Sequence, residues 1–155
     1  MTGDRLRQLV TYDPETGIFT RKVSRQGTRA GRVVGRQKRD GYISFAVDRR
    51  EYLAHRLAWL YVFGAWPSAE LHRINHDRAD NRISNLREAT RSQQMMDIPM
   101  RSRSGHKGVS AKHKKFYARI KINGKSRHLG TFPTPEAASA AYMAAAREHF
   151  GDFVQ

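Results

Sequence analysis

A run of turn-forming and basic residues interrupts the apolar periodicity of this 155-residue chain at Asp97–Gly105 (DIPMRSRSG). Because Pro, Gly and Ser break helices and strands, we interpret residues 98–104 as a linker. The linker divides the chain into one module at residues 1–97 and another at residues 105–155. Segments of this size bury only a small core. A large multidomain enzyme is therefore excluded.

Several classes of protein are excluded by composition. The chain has no cysteine, which removes disulfides, thiolate nucleophiles and cysteine-based zinc sites. No apolar run approaches the roughly 18 residues of a membrane span, and Met1–Val10 has no secretory stretch. We expect a soluble, monomeric protein of the cytoplasm with no membrane partner. If a phage encodes it, the compartment is the host cytoplasm.

Positive charge is concentrated in two segments. The net charge is +15, and Lys and Arg total 29, of which 21 are Arg. Residues 21–50 hold ten basic and two acidic residues, and residues 99–128 hold ten basic and none acidic. Neutralising phosphates with such side chains releases counterions from a polyanion, so the pattern favours a nucleic-acid partner. A solubilising surface is the alternative.

The second module has the pattern of a small antiparallel sheet followed by a helix. Short strands are predicted at 109–111, 116–122 and 126–129, and Asn123-Gly124 favours a tight hairpin turn. Thr134 and Pro135 then favour the start of an Ala-rich helix that ends at Gly151. The predicted fold is α+β, with a three-stranded antiparallel sheet packed on one helix.

Alternation along the central strand predicts one apolar and one cationic sheet face. Tyr117, Arg119 and Lys121 share the cationic face, opposite Phe116, Ala118 and Ile120. A two-stranded ribbon fits the DNA major groove, so we expect this face to bind double-stranded DNA. The expected contacts continue along the second module at Lys112, Lys114, Lys115, Lys125 and Arg127, and in the first module at Arg36, Lys38 and Arg39.

This segment resembles the DNA-binding domain of plant ethylene-response and APETALA-type factors, which also occurs in phage endonucleases. The resemblance rests on SGHKGVS (104–110), YARIKINGKSRHLGTF (117–132), EAASAAY (136–142) and FGDF (150–153). It covers about 50 residues and implies DNA binding. Phe116 stands where the family usually has Trp.

The first module carries turn, hairpin and helix signals in that order. Tyr12–Gly17 (YDPETG) is typical of a turn between short strands. Tyr42–Val47 and Tyr52–Leu53 predict a hairpin, and apolar spacing from Ala54 predicts a largely buried helix capped by Gly64. Its aromatic residues are expected in the core.

The first module resembles HNH nucleases of the ββα-metal (His-Me finger) class, especially small phage homing endonucleases. The resemblance rests on AHRLAWLYVFGAW (54–66), INHDRADNRISNLREAT (74–90) and Gln94, and extends upstream to YDPETGIF. It implies two strands, a loop and a short helix that hold one divalent ion, Mg²⁺ or Mn²⁺ in an active member, against a scissile phosphate.

The resemblance departs at the reactive positions. Members of the class typically read Asp-His-Ile-Asn where this chain has His72-Arg73-Ile74-Asn75. His72 then takes the first metal-ligand position, and Arg73 takes the position of the general base. A guanidinium is not deprotonated in proteins and cannot accept a proton from water.

The second metal-ligand position is altered too. Thr90–Gln93 has the pattern of a capping box that starts a short helix, which puts Gln94 where the family has Asn or His. Asn85 matches the structural Asn that ties the loop. His76 is a possible substitute base, and Asp77 or Asp97 a displaced base or ligand. His55 is expected to make a structural hydrogen bond.

Three functions follow from these patterns. The first is a DNA-binding protein of homing-endonuclease descent with absent or weak cleavage, in which Arg73 contacts a phosphate. The second is an active metal-dependent endonuclease that nicks or homes. The third is a phage-encoded protein that binds and inhibits a host nucleic-acid-processing or defence complex.

Overall fold

The computed structural model describes residues 1–24, 29–97 and 105–154. The expected linker at 98–104 lies outside the described residues. The chain divides into two compact units, Met1–Glu88 and Ala89–Gln155. The α+β class is confirmed, because the described residues form four helices and small antiparallel sheets. None of the described helices is long and apolar enough to cross a bilayer.

The first unit begins with helix α1 and two small sheets. Helix α1 is Gly3–Leu9, and strands β1 to β6 are Val10–Tyr12, Phe19–Arg21, Val33–Val34, Arg36–Gln37, Ile43–Val47 and Arg50–Leu53. Strands β1, β2 and β3 form one three-stranded sheet, and β4, β5 and β6 form another. The pairings within both sheets are antiparallel. The two expected strand pairs, around Tyr12–Gly17 and at 42–53, are thus confirmed.

The rest of the first unit leads to the site. Helix α2 is Ala54–Phe63, and Gly64 ends it at φ +76°, as expected. Strands β7 and β8 are Glu70–Arg73 and Leu86–Ala89, with a 3₁₀ turn at Ile83–Asn85 between them. Leu57 and Leu60 of α2 are buried in the core, whereas Phe63 is largely exposed. The core prediction for the α2 aromatics is therefore wrong for Phe63, which lies on the last turn of the helix.

The second unit contains the expected sheet and helix. Helix α3 is Arg91–Asp97, strands β9 to β11 are Val109–Lys112, Lys115–Ile122 and Lys125–Phe132, and helix α4 is Pro135–Phe150. The sheet is antiparallel, in the order β11-β10-β9. Thr134 caps α4 by accepting a hydrogen bond from the Ala137 amide at 3.2 Å. A 3₁₀ turn at Gly151–Phe153 follows.

Close packing between α4 and the sheet requires small residues. Ala118 and Ile120 of β10 are buried with Ala138, Tyr142 and Ala146 of α4. Gly108 has φ +68°, and a Cβ added there would lie 2.2 Å from ring carbons of Tyr142. Only glycine fits this position without displacing the Tyr142 ring.

The boundary between the compact units differs from the expected boundary between the modules. Helix α3 clusters with the second unit, whereas the sequence pattern assigns it to the module at 1–97. Part of its packing explains the difference: the Tyr142 hydroxyl of α4 lies 3.2 Å from Sδ of Met96 on α3. The boundaries of the two functional modules, at residues 97 and 105, stay a prediction.

Candidate active site and nucleic-acid interface

The loop between β7 and β8 is held by one buried amide. Asn85 accepts a hydrogen bond from the Asn75 amide at 3.0 Å and donates to the Asn75 side chain at 2.9 Å. It also donates to the Asp80 carbonyl at 3.4 Å. Asn75 in turn donates to the Asp80 carboxylate at 2.7 Å. One side chain therefore fixes both ends of the loop that carries Asn75.

The Asp80 carboxylate and the upstream turn at Tyr12–Gly17 fix the rest of this loop. Arg82 donates to the Asp80 carboxylate at 2.6 Å, and this contact lowers the pKa of Asp80. The Tyr12 hydroxyl donates to the Asn81 carbonyl at 2.7 Å. A Cβ at Gly17 would lie 2.6 Å from the Arg82 nitrogen. The turn at Tyr12–Gly17 thus packs directly on the loop.

Arg73, at the expected base position, is buried at the end of β7. Only 6% of its surface is exposed, and its guanidinium lies over the ring of Tyr42 at 4.7 Å. Among the described residues, its Nε and Nη2 atoms have no hydrogen-bond partner. Burial lowers the pKa of Arg73. A direct phosphate contact by Arg73 was expected, but burial of the side chain against Tyr42 argues against such a contact.

Tyr42 is the centre of a cluster that sequence spacing did not reveal. The Arg78 guanidinium lies 5.1 Å from its ring, and the His55 ring lies 5.5 Å from it. Arg78 also donates to the Asp40 carbonyl at 2.8 Å, which joins the β4–β5 turn to the site loop. Arg36, Lys38 and Arg39 lie exposed on or beside that turn. The first unit therefore carries basic residues close to the loop.

His55 contributes a buried, neutral ring to this cluster. It is 6% exposed, and burial, with the charges of Arg73 and Arg56, lowers its pKa to about 3. Its Nδ1 atom has no hydrogen-bond partner in the part of the chain that the structure describes. The structural hydrogen bond that we expected for His55 is therefore not found at Nδ1.

His72 and His76 lie side by side in the first unit. Their rings are 5.6 Å apart and nearly perpendicular, and each offers a ring nitrogen within 4.8 Å of the other's. His76 is exposed and has φ +60°. The Asp77 side chain caps the turn by accepting a hydrogen bond from the Ala79 amide at 2.9 Å. The first expected ligand and the expected substitute base thus have neighbouring imidazoles.

Helix α3 begins with the expected capping box. The Thr90 amide donates to the Gln93 side chain at 2.8 Å, and the Gln93 amide donates to the Thr90 hydroxyl at 3.3 Å. The Gln94 side chain donates to the Ala89 carbonyl at 3.4 Å. Asp97 is buried at the end of the helix. Gln94 and Asp97 both belong to the second unit, and their roles as ligands stay predictions.

The second unit presents a cationic sheet face. Strand pairing places Lys115 opposite Lys112, Tyr117 opposite Ser110, and Arg119 opposite His128. Lys115, Arg119 and Lys121 are exposed, and the Tyr117 and His128 rings are 6.2 Å apart. This cationic face is defined as Lys112, Lys115, Tyr117, Arg119, Lys121 and His128. Lys114 lies in the turn before β10, at φ +59°.

Two of the expected DNA contacts lie on the opposite side of the sheet. The register shifts between Ala118 and Arg119, so that Ala118 pairs with Gly130 but Arg119 pairs with His128. This bulge reverses the alternation of β11. Arg127 and Lys125 consequently pair with Ile120 and Ile122, whose side chains point away from the cationic face. Our expectation that they lie near that face is corrected.

A comparison with known protein families identifies the segment that contains this loop. Residues 52–96 match the family model described as HNH endonuclease. The match runs from β6 through α2, β7 and β8 to α3, which is less than a third of the chain. This segment is thus an HNH endonuclease-like domain, related to nucleases that use a divalent metal. No curated protein and no solved structure matches the chain significantly.

Proposed function

We propose that the chain is a DNA-binding protein of HNH homing-endonuclease descent whose cleavage is absent or weak. The observation that carries the proposal is the burial of Arg73 against Tyr42, since the resemblance assigns Arg73 to the position of the general base. A group that cannot accept a proton cannot activate water by general-base catalysis. The match of residues 52–96 supports the descent.

The proposal includes the arrangement of the ββα-metal class. Strands β7 and β8 pair, and Thr90 alone separates β8 from α3. The chain therefore forms a strand, a second strand and a helix in sequence, which is the order of these elements in the ββα-metal class. The bonds of Asn85 to Asn75 support a loop of preserved shape. In our proposal the scaffold persists although its reactive residues have changed.

Duplex binding would use cations from both units. The cationic face carries exposed Lys115, Arg119 and Lys121 on an antiparallel sheet, and a two-stranded ribbon of this kind fits a major groove. Arg36, Lys38 and Arg39 would contact phosphates from the first unit. The resemblance of residues 105–155 to the APETALA-type domain supports the same assignment. No acidic residue lies between Pro99 and His128 to oppose it.

Salt dependence tests this binding directly. Fluorescence anisotropy of a labelled duplex, measured at several salt concentrations, should give a log affinity that falls steeply with log salt. Each neutralised phosphate contributes a slope of about −0.9, and we expect several. A slope near zero would refute binding through phosphates. A slope equal for duplex and single strand would argue against groove binding.

An active endonuclease is the second candidate, and the family match favours it. In that case His72 would hold the metal, and His76 would take the role of the missing base. The two imidazoles are close enough for such a division of roles. Cleavage that requires both residues and a divalent ion would support this candidate over the first.

A further inference from the structure

The two histidine donors beside the site loop favour a metal other than magnesium. Mg²⁺ prefers oxygen ligands in octahedral geometry, and nucleases of this class are expected to place a carboxylate at the position of His72. Here the first unit offers two neighbouring imidazoles, His72 and His76. Imidazole suits zinc, copper and nickel, whereas carboxylate and water suit magnesium and manganese.

The two rings are close enough to share one ion. Zinc binds a histidine nitrogen at about 2.0–2.1 Å in tetrahedral geometry, so two such nitrogens are roughly 3.3 Å apart. The observed nitrogens lie within 4.8 Å of each other. Since His76 is exposed, a modest rotation of its side chain closes the difference. His72 is half-buried and its Nδ1 atom is enclosed, so an ion would have to approach this ring at Nε2.

The backbone at His76 holds its side chain in a fixed turn. Its φ of +60° lies in the left-handed region, which costs a residue with a Cβ about 1 kcal/mol. The turn is fixed, because the His76 amide donates to the Arg73 carbonyl at 3.2 Å and Asn75 accepts from the Asp77 amide at 2.9 Å. Glycine suits this position better for folding alone.

We propose that His72 and His76 form a two-imidazole site for zinc or another late transition-metal ion, in preference to magnesium. Water or other donors complete the coordination shell. The site does not depend on DNA binding or on cleavage, because the ion is held by two side chains of one loop and its flanking strand. The metal in this chain thus differs from the one that the class resemblance implies.

Titration calorimetry of the metal-stripped full chain with zinc, nickel or magnesium chloride, without nucleic acid, tests this site. We expect zinc and nickel to bind at one site at least 100-fold more tightly than magnesium. His76→Gly keeps the loop, since glycine accepts φ +60°, and should weaken zinc binding at least tenfold. His72→Ala should do the same.

His113→Gly is the matched control, because His113 is also exposed at positive φ (+49°) but lies in the turn between β9 and β10 of the second unit. It should leave zinc affinity unchanged. Equal zinc affinity in the wild type and both site variants would overturn the proposal, as would magnesium binding as tight as zinc. Circular dichroism must show that His76→Gly remains folded. Zinc protection against heating in the wild type and in His113→Gly, but not in the two site variants, gives a second readout.

Discussion

The loop between β7 and β8 and the cationic face of the second unit use polar residues in opposite ways. In the loop, Asn85, Asn75 and Asp80 are hydrogen-bonded to one another. Arg73, at the end of β7, is buried against the Tyr42 ring. On the cationic face, Lys115, Arg119 and Lys121 are exposed on a sheet that α4 supports. The loop therefore preserves a shape, whereas the face presents charge.

The largest effect should come from the support of the cationic face. Gly108→Ala places a Cβ 2.2 Å from the Tyr142 ring at φ +68°. We expect a loss of about 3–4 kcal/mol in the stability of the second unit, from overpacking and left-handed strain together. Gly124→Ala has a similar φ of +81° but open space around the added Cβ. It should cost only about 1 kcal/mol in urea unfolding, and equal losses would contradict the packing argument.

Charge on the two sides of the sheet should differ in its effect on DNA affinity. Arg119→Ala/Lys121→Ala removes two charges from the cationic face, and Lys125→Ala/Arg127→Ala removes two from the other side. The first pair should weaken duplex binding by about 2 kcal/mol and lower the salt slope by about 2. The second pair should have less than half that effect. If anisotropy gave the same result for both pairs, the assignment of faces would be wrong.

Loss of the buried amide should destabilise the first unit. Asn85→Ala leaves the Asn75 amide and side chain without their partner, at a cost of about 2 kcal/mol. Ser84→Ala changes an exposed neighbour and should stay within about 0.5 kcal/mol of the wild type. Chemical denaturation provides the measurement. A loop that tolerates both substitutions equally would not be held by Asn85.

The buried ring of His55 should make stability depend on pH. Its pKa is about 3 in the folded chain and about 6.5 when unfolded. Between about pH 6.5 and pH 3 the His55 ring therefore binds a proton in the unfolded state but not in the folded state. Stability should fall by up to about 1.4 kcal/mol per pH unit as the pH drops from 6.5 toward 3.

His55→Phe removes this titration, so between pH 7 and pH 5 its stability should change less than that of the wild type. His149→Phe, which alters an exposed ring on α4, should retain the wild-type dependence. Identical pH profiles for the wild type and His55→Phe would contradict the assignment.

Local patterns in the sequence predicted local structure well. The capping box at Thr90–Gln93, the α2 end at Gly64 and the α4 start at Thr134 each depend on residues within one turn of each other. Contacts between distant residues were not predictable in this way. Tyr42 lies 31 positions before Arg73, and no periodicity links them.

The bulge in β11 shows a second limit of sequence patterns. Strict alternation would keep Arg127 and Lys125 on the same face as Thr131 and Tyr117. One extra residue in β11 moves them to the other face. Similarly, the break in the sequence pattern at 98–104 predicts a linker there. The compact units instead divide after Glu88, because α3 packs in the second unit.

Nicking of supercoiled plasmid by the wild type and by Arg73→His tests the central claim most directly. Each protein would be incubated with magnesium, manganese or zinc, at concentrations where anisotropy shows DNA binding. We expect no detectable nicking by the wild type, so that the plasmid stays supercoiled. If either protein nicks the plasmid, we expect it to be Arg73→His. Nicking by the wild type that is lost in His72→Ala and with chelator would contradict the account.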